Sequence, residues 1–326
     1  MNVKSKEIPL VIFLSGPTAS GKTALSIKIA KKLPVEIINA DVGQFYEPLS
    51  VGTAKPDWMH QDVPHHLFDI MAEPKDCNVV QYRTFLIEKS KEIIKKNKMP
   101  LVVGGSLFYL KSVFFPPAKS VEIEDGVKIS VGDPEKLWDE LNKIDSERAA
   151  QIHPNDVYRI QRALSIWKKT GKKPSELKST FQPPFNFVFI FLAPDRDELF
   201  ERINQRTTKM IGNEGWIEEV IALRGSEWEP FLCKKGLIGY REIFKWIERG
   251  EKKEELVQLV EEIQKETRAY AKRQLTFWKS FEKDLEKECS PSFNICRIIT
   301  ISSFDEKVVK KVVMGIKSLA QIIAKE

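Results

Sequence analysis

"VIFLSGPTASGKTALSIKIA", Val11–Ala30, is the stretch on which the fold turns. The apolar run Val11–Leu14 reads as a short strand buried on both faces, the kind found in parallel sheets. Gly16–Thr23 then fits G-x-x-x-x-G-K-T without a mismatch, and "ALSIKIAKKL" reads as the helix that must follow. The chemistry of this order is specific. Glycines let backbone N–H groups curl around phosphate oxygens, and the helix N-terminus adds its dipole. Lys22 brings a point charge, and Thr23 offers a hydroxyl to Mg²⁺. The loop therefore predicts polyphosphate binding, but by itself it names neither ATP nor a reaction.

Working outward, Val35–Asn39, Leu101–Gly105 and Val188–Leu192 read as further strands, with a helix over Tyr82–Asn97. Strands alternating with helices predict an α/β fold, a P-loop core whose parallel sheet is flanked by helices. Between Pro116 and Pro184 the texture changes. "PEKLWDELNKID", "SERAAQI" and "NDVYRIQRALSIWKKTG" are helical, the last capped by Asn155 or Asp156 and closed by Gly171. Before them "AKSVEIEDGVKISVGD" reads as an irregular loop. The expected organisation is a catalytic core over 1–115 and 185–326 with a helical insertion domain over 116–184. Toward the end "FNICRIITIS" is a candidate strand, and "DEKVVKKVVMGIKSLAQIIAKE" an amphipathic closing helix.

Composition sets limits. The chain has 326 residues, 42% hydrophobic and 30% charged, which describes a globular protein with ample core. A net charge of +6 permits a polyanionic partner without establishing one. Cys77, Cys233, Cys289 and Cys296 form no CxxC pair, so a zinc site is disfavoured and free cysteines in a reducing compartment are expected. No run of residues is long enough to span a bilayer, and a cytoplasmic protein without a membrane partner is expected.

In open α/β sheets ligands bind beyond the carboxyl ends of the strands. Those ends carry the phosphate loop, Asp41 with Gln44 and Tyr46 close by, Ser106 after two glycines, and Asp195 with Arg196. Asp41 could instead cap a helix or hold a Mg²⁺-bound water, and Ser106 could cap "LFYLKSVF". His65 and His66 in "PHHLFD" point different ways and have no third ligand nearby, so a structural or substrate-facing role is expected. The segment Lys265–Lys283, "KETRAYAKRQLTFWKSFEK", places Lys265, Arg268, Lys272, Lys279 and Lys283 in one helical sector, opposite Tyr270, Gln274, Phe277 and Phe281. Such a row suits a nucleic-acid backbone, although a solvated face has the same composition. Arg159 and Arg162 add a second basic patch on the insertion.

"GPTASGKT", "EIINADVGQFYEPLSVGTAKP", "PHHLFD", "LVVGGSLFYL", "IHPNDVYRIQRAL", "EEVIAL", "IGYREI" and "TRAYAKRQLTFW" occur in this order, over about residues 9–281. In that respect the chain resembles the bacterial tRNA dimethylallyltransferases. The resemblance implies transfer of a dimethylallyl group from dimethylallyl diphosphate to N6 of the adenosine 3′ of the anticodon, in tRNAs reading codons that begin with U. It implies that Gly16, Pro17, Thr18, Ala19, Ser20, Gly21, Lys22 and Thr23 hold the substrate diphosphate, with Mg²⁺ at Thr23. Asp41 matches the general base, Ser106 a hydroxyl usually supplied by Thr, and Arg206 an arginine on the diphosphate side. Asp41, Val42, Gly43, Gln44, Ser106, Tyr158, Arg159, Ile160, Gln161, Arg162, Lys272 and Arg273 match the tRNA-contacting positions. The expected partners are the tRNA anticodon stem-loop and dimethylallyl diphosphate, bound by a monomer. Val42 and Gly43 stand where the family usually has Ser and Met, and "TFW" where "TWF" is common. An ATP-dependent kinase shares the phosphate loop but explains neither the basic helix nor "NDVYRIQRAL". A tRNA-binding relative without activity would keep both.

Overall fold

The structure, a computed structural model, describes residues 10–117, 133–177, 179–289 and 296–323. The expected loop "AKSVEIEDGVKISVGD" lies almost wholly outside them, as does the start of "FNICRIITIS". Two compact units are present, one of residues 1–77, 81–110 and 184–326, the other of 78–80 and 111–183.

In the first unit, strands β1 (Leu10–Ser15), β2 (Val35–Asn39), β3 (His65–His66), β4 (Met99–Val103), β5 (Asn186–Leu192) and β6 (Cys296–Ile301) form one sheet in the order β3-β2-β4-β1-β5-β6. Every pairing is parallel. All residues of β1 and β5 are buried, as continuous apolar strands of a covered parallel sheet require. The short strand β3 went unseen in the sequence because two histidines carry no strand signal.

Period-two alternation along β5 sorts its side chains between two faces. Val188, Ile190 and Leu192 join Ile12 and Leu14 beneath helices α1 (Lys22–Ala30) and α12 (Glu306–Ile323), with Leu25, Ile29, Val309, Val313 and Ile316 in the same cluster. The closing helix is thus a cover for the sheet. On the opposite face Phe189 and Phe191 stack on Trp278 of α11 (Leu256–Glu288), at ring-centroid distances of 4.9 and 4.3 Å. The buried stripe of α11 runs through Leu259, Ile263, Ala271, Gln274, Trp278, Phe281 and Leu285; it keeps Gln274 and Phe281 of the expected stripe and has Ala271 and Trp278 in place of Tyr270 and Phe277.

Register places the functional loops. Leu14 pairs with Val103, and Val103 with Asn39, so β1, β4 and β2 end side by side. Residues 16, 41 and 106 therefore leave the sheet along one edge.

In the second unit α4 (Pro134–Ile144), α5 (Ser146–Ala150) and α6 (Val157–Thr170) enclose a core of their own around Leu141, Ala149, Ile152, Ile160 and Leu164. Asp156 caps α6, accepting from the Arg159 N–H at 3.1 Å, and Gly171 closes it in the left-handed conformation. Cys289 and Cys296 stand close together, with Cα atoms 6.1 Å apart, while Cys77 is buried in the core and Cys233 is half-buried. No helix among the described residues is long and apolar enough to cross a membrane.

Candidate active site

The phosphate loop runs from β1 into α1. Its last glycine, Gly21, has φ +97°, a backbone conformation that favours glycine, and stands at the N-cap of α1. Lys22 turns back along the loop, its Nζ donating to the carbonyls of Gly16 and Pro17 at 3.0 and 2.8 Å. Burial pulls the Lys22 pKa down to about 8, against the nearby Asp41 carboxylate, and the Arg206 guanidinium pulls the same way as burial.

Asp41 leaves β2 in an extended conformation and caps the 3₁₀ turn Val42–Phe45, its Oδ1 accepting from the Gly43 N–H at 3.3 Å. The expected alternative of a helix cap is thus met at this carboxylate. Its backbone is fixed by Asn39, whose Oδ1 accepts from the Asp41 N–H at 2.9 Å and whose Nδ2 donates to the Asp41 carbonyl at 3.2 Å. Asn39 was not singled out in the sequence, since one amide at a strand end has no pattern. Burial raises the Asp41 pKa, opposed by Lys22, the Gly43 N–H, Arg206 and the Gly105 N–H.

Ser106 does not spend its side chain on capping α3 (Leu107–Phe114). Its Oγ accepts from the Val42 N–H at 3.0 Å, and its own N–H donates to the Ala40 carbonyl at 3.2 Å. These bonds stitch the turn after β4 to the end of β2. Arg206 comes from α7 (Arg196–Gly212). Burial lowers its pKa, while Asp41 and Glu214 favour the charged form.

Thr18, Ala19, Asp41, Ser106 and Arg206 share a cavity of about 350 Å³. Met210, Trp216 and Ile238 supply apolar lining, and Tyr270 and Arg273 of α11 complete it. A smaller cavity of about 40 Å³ holds Lys22, Thr23, Asp41, Gln44 and His65. Asp41 thus borders both. In the smaller one a hydroxyl and a carboxylate offer the hard oxygens that Mg²⁺ takes when phosphate supplies its other ligands. Among the described residues no group of three or more His, Cys, Asp or Glu could hold a metal by itself.

Other expected residues sit differently. Gln44 is half-buried and donates to the carbonyls of Thr53 and Ala54 at 3.1 and 3.3 Å, so it shapes a loop. That loop is clamped by Glu219 of α8 (Trp216–Leu223), whose carboxylate accepts from the N–H groups of Ser50, Val51 and Gly52 at 2.8, 2.6 and 3.1 Å and from the Tyr240 hydroxyl at 2.7 Å. His66 Nε2 lies 2.8 Å from Glu36, beside Lys96 and Lys98, an ionic cluster on the sheet. On α11 Lys265, Lys272, Lys279 and Lys283 are exposed, but Arg268 is half-buried and donates to Asn204. Arg273, outside the expected row, reaches the cavity and lies over the Tyr270 ring. On α6 Tyr158 and Arg159 are exposed, whereas Ile160 and Gln161 are buried and Arg162 is half-buried.

The pattern of the IPP transferase family matches residues 44–281, and that of the isopentenyl transferases residues 9–66. The tRNA dimethylallyltransferase of Geobacter sulfurreducens is 34% identical over 284 residues, covering 84% of this chain and 89% of that relative. That of Fervidobacterium nodosum is 37% identical over 280 residues, with the same coverage of 84% and 89%. Among solved structures, a eukaryotic dimethylallyltransferase acting on tRNA superposes with a TM-score of 0.77 at 27% identity, over 94% of this chain and 78% of that one. The tRNA isopentenylpyrophosphate transferase of Bacillus halodurans gives a TM-score of 0.64 at 30% identity, over 97% and 98%.

Proposed function

The chain belongs to the IPP transferase family, whose bacterial-type members transfer a dimethylallyl group from dimethylallyl diphosphate to an adenosine of tRNA, and from that premise we propose the target atom and a role for each residue of the site. The acceptor is N6 of the adenosine 3′ of the anticodon, in tRNAs that read codons beginning with U. The donor's diphosphate lies along Gly16–Thr23, and Asp41 is the general base. One observation carries this reading: Asp41 borders the same cavity as Thr18 and Ala19 of the phosphate loop, with Lys22 and Arg206 close enough to bias its charge.

The exocyclic amine of adenine is a weak nucleophile, because its lone pair is delocalised into the ring. As N6 attacks the allylic carbon, the N–C bond forms and the C–O bond to diphosphate breaks. The amine proton passes to Asp41. Burial raises the pKa of that carboxylate and so makes it a stronger base, while Lys22 and Arg206 favour its charged form. The leaving diphosphate gains charge, which the loop N–H groups, Lys22 and Arg206 stabilise more than the ground state. Mg²⁺ held by the Thr23 hydroxyl supplies further charge neutralisation when bound. Ser106 fixes the Val42 N–H, and thereby the turn that carries Asp41.

The adenine must leave its stack to enter a cavity of this kind. Arg273 and Tyr270 at the cavity, with exposed Lys272 on the same helix, suit the flanking phosphates and the flipped base. Tyr158, Arg159 and Arg162 offer a second tRNA surface on the helical unit, a clamp for the anticodon stem. The protein acts in the cytoplasm as a monomer. The test is mass spectrometry of nucleosides from unmodified tRNA incubated with the protein, Mg²⁺ and dimethylallyl diphosphate, with ATP alone as control. N6-dimethylallyl-adenosine formed without ATP is the expected product. Phosphate transfer from ATP to a small molecule, with tRNA unaltered, would replace this reading with a kinase.

A further inference from the structure

Gln274 is a polar residue in the buried stripe of α11, and only 5% of it is exposed. A neutral amide among Ala271, Trp278 and Phe281 has a desolvation cost that its hydrogen bonds must offset. Its partners lie on two functional loops. The carboxamide oxygen accepts from the Thr18 N–H of the phosphate loop at 2.9 Å. The carboxamide nitrogen donates to the Gly105 carbonyl, also at 2.9 Å. The fit leaves no slack, since a Cβ on Gly105 would stand 2.7 Å from Gln274 Nε2.

Thr18 precedes Ala19, which takes the left-handed conformation at φ +61° although it is not glycine. Such a conformation persists only where the surroundings over-determine it. The neighbouring turn is closed from within by the Ser20 N–H on the Pro17 carbonyl at 3.2 Å and by Lys22 Nζ on the Gly16 and Pro17 carbonyls; from outside, Arg202 donates to the Ser20 carbonyl at 3.4 Å and Gln274 holds the Thr18 N–H next to Ala19. On the other side, Gly105 directs its N–H at Asp41 and is followed by Ser106.

We propose that Gln274 is a positioning residue that holds the strained phosphate loop and the Gly105–Ser106 turn in mutual register, so that the diphosphate and the base Asp41 face one reacting centre. The inference rests on the diphosphate assignment above. Gln274 touches neither substrate, and its effect passes through Thr18 and Gly105. Met has similar length and volume without either polar group, so Gln274→Met removes both bonds and keeps the packing.

The experiment measures the KM for dimethylallyl diphosphate, the affinity for inorganic pyrophosphate, the affinity for tRNA and the melting temperature. In Gln274→Met the KM rises about tenfold, the equivalent of the lost bond to the phosphate-loop Thr18 N–H, and pyrophosphate binding weakens in parallel. The tRNA affinity stays at the wild-type level. Adding Ala19→Gly, which relieves the strain Gln274 opposes, restores part of the loss. A residue that merely packs would show no such rescue. If Gln274→Met does not fold, Gln274→Asn, one methylene too short to span both loops, replaces it with the same expectation. An unchanged KM overturns the proposal, as does a loss shared equally by tRNA binding and not recovered by Ala19→Gly. Lys22→Ala separates this from the premise. If pyrophosphate affinity is indifferent to Lys22→Ala, the diphosphate assignment fails; if it falls there but not in Gln274 variants, only the role of Gln274 fails.

Discussion

The electrostatics of Lys22 set an upper limb on the pH profile. Its ammonium must be charged to hold a diphosphate, yet burial has brought its pKa down to about 8. The sign follows directly. A lysine with a depressed pKa loses its proton as pH rises through that value, so kcat/KM for dimethylallyl diphosphate should fall above about pH 8. Because kcat/KM reports the free enzyme, the bound diphosphate does not mask the limb. The fall should approach roughly tenfold per pH unit once one essential proton is lost. The assay is the initial rate of transfer at low diphosphate concentration and saturating tRNA, across neutral to alkaline pH. Lys22→Arg supplies the internal control. A guanidinium stays protonated throughout this range, so the variant should lose the limb even if its rate is lower. A limb of the same position in Lys22→Arg would refute the assignment to Lys22.

Further outcomes are expected. Lys272→Ala should weaken tRNA binding and flatten its salt dependence by about one phosphate contact, read from binding titrations at several salt concentrations; an unchanged slope removes Lys272 from the interface. Glu36 tests the ionic cluster. Burial pushes its pKa up, but hydrogen bonds from His66, Lys98 and Lys96 outweigh that and hold it at about 2, below the ordinary 4.5. Its contribution is therefore present above the unfolded carboxylate's pKa and lost as pH falls through the folded one, and it is screened by solvent because Lys96 and Lys98 are partly exposed. Urea titrations should show Glu36→Gln less stable at neutral pH, with the gap closing on acidification.

The parts of this fold that were legible in sequence share a physical cause. Apolar runs buried on both faces, such as Val11–Leu14, declare themselves as strands, and the loop before Lys22 must be glycine-rich to do its work. Asp41 and Ser106 could be placed on one edge because parallel strands end together. Illegible were the bonds that cross long stretches of chain. Glu219 holding three successive N–H groups and Gln274 joining Thr18 to Gly105 depend on approach distances that no local spacing encodes, whereas Asn39 fixing Asp41 two residues on is a local bond that a single amide does not announce. The basic helix was half legible. Helical spacing identified its exposed lysines, but not that Arg268 turns to Asn204 or that Arg273 and Tyr270 reach the cavity.

The central claim is that Asp41 accepts the proton of the attacking amine. The most direct measurement is the single-turnover rate of dimethylallyl transfer to tRNA by Asp41→Asn and by the wild-type chain, with tRNA and pyrophosphate affinities measured on the same samples. Asparagine keeps an oxygen to cap the Val42–Phe45 turn, so the fold of the loop is retained. The expected rate is lower by about 10²–10⁴-fold with both affinities preserved. A wild-type rate in Asp41→Asn would contradict it and assign the proton to another acceptor.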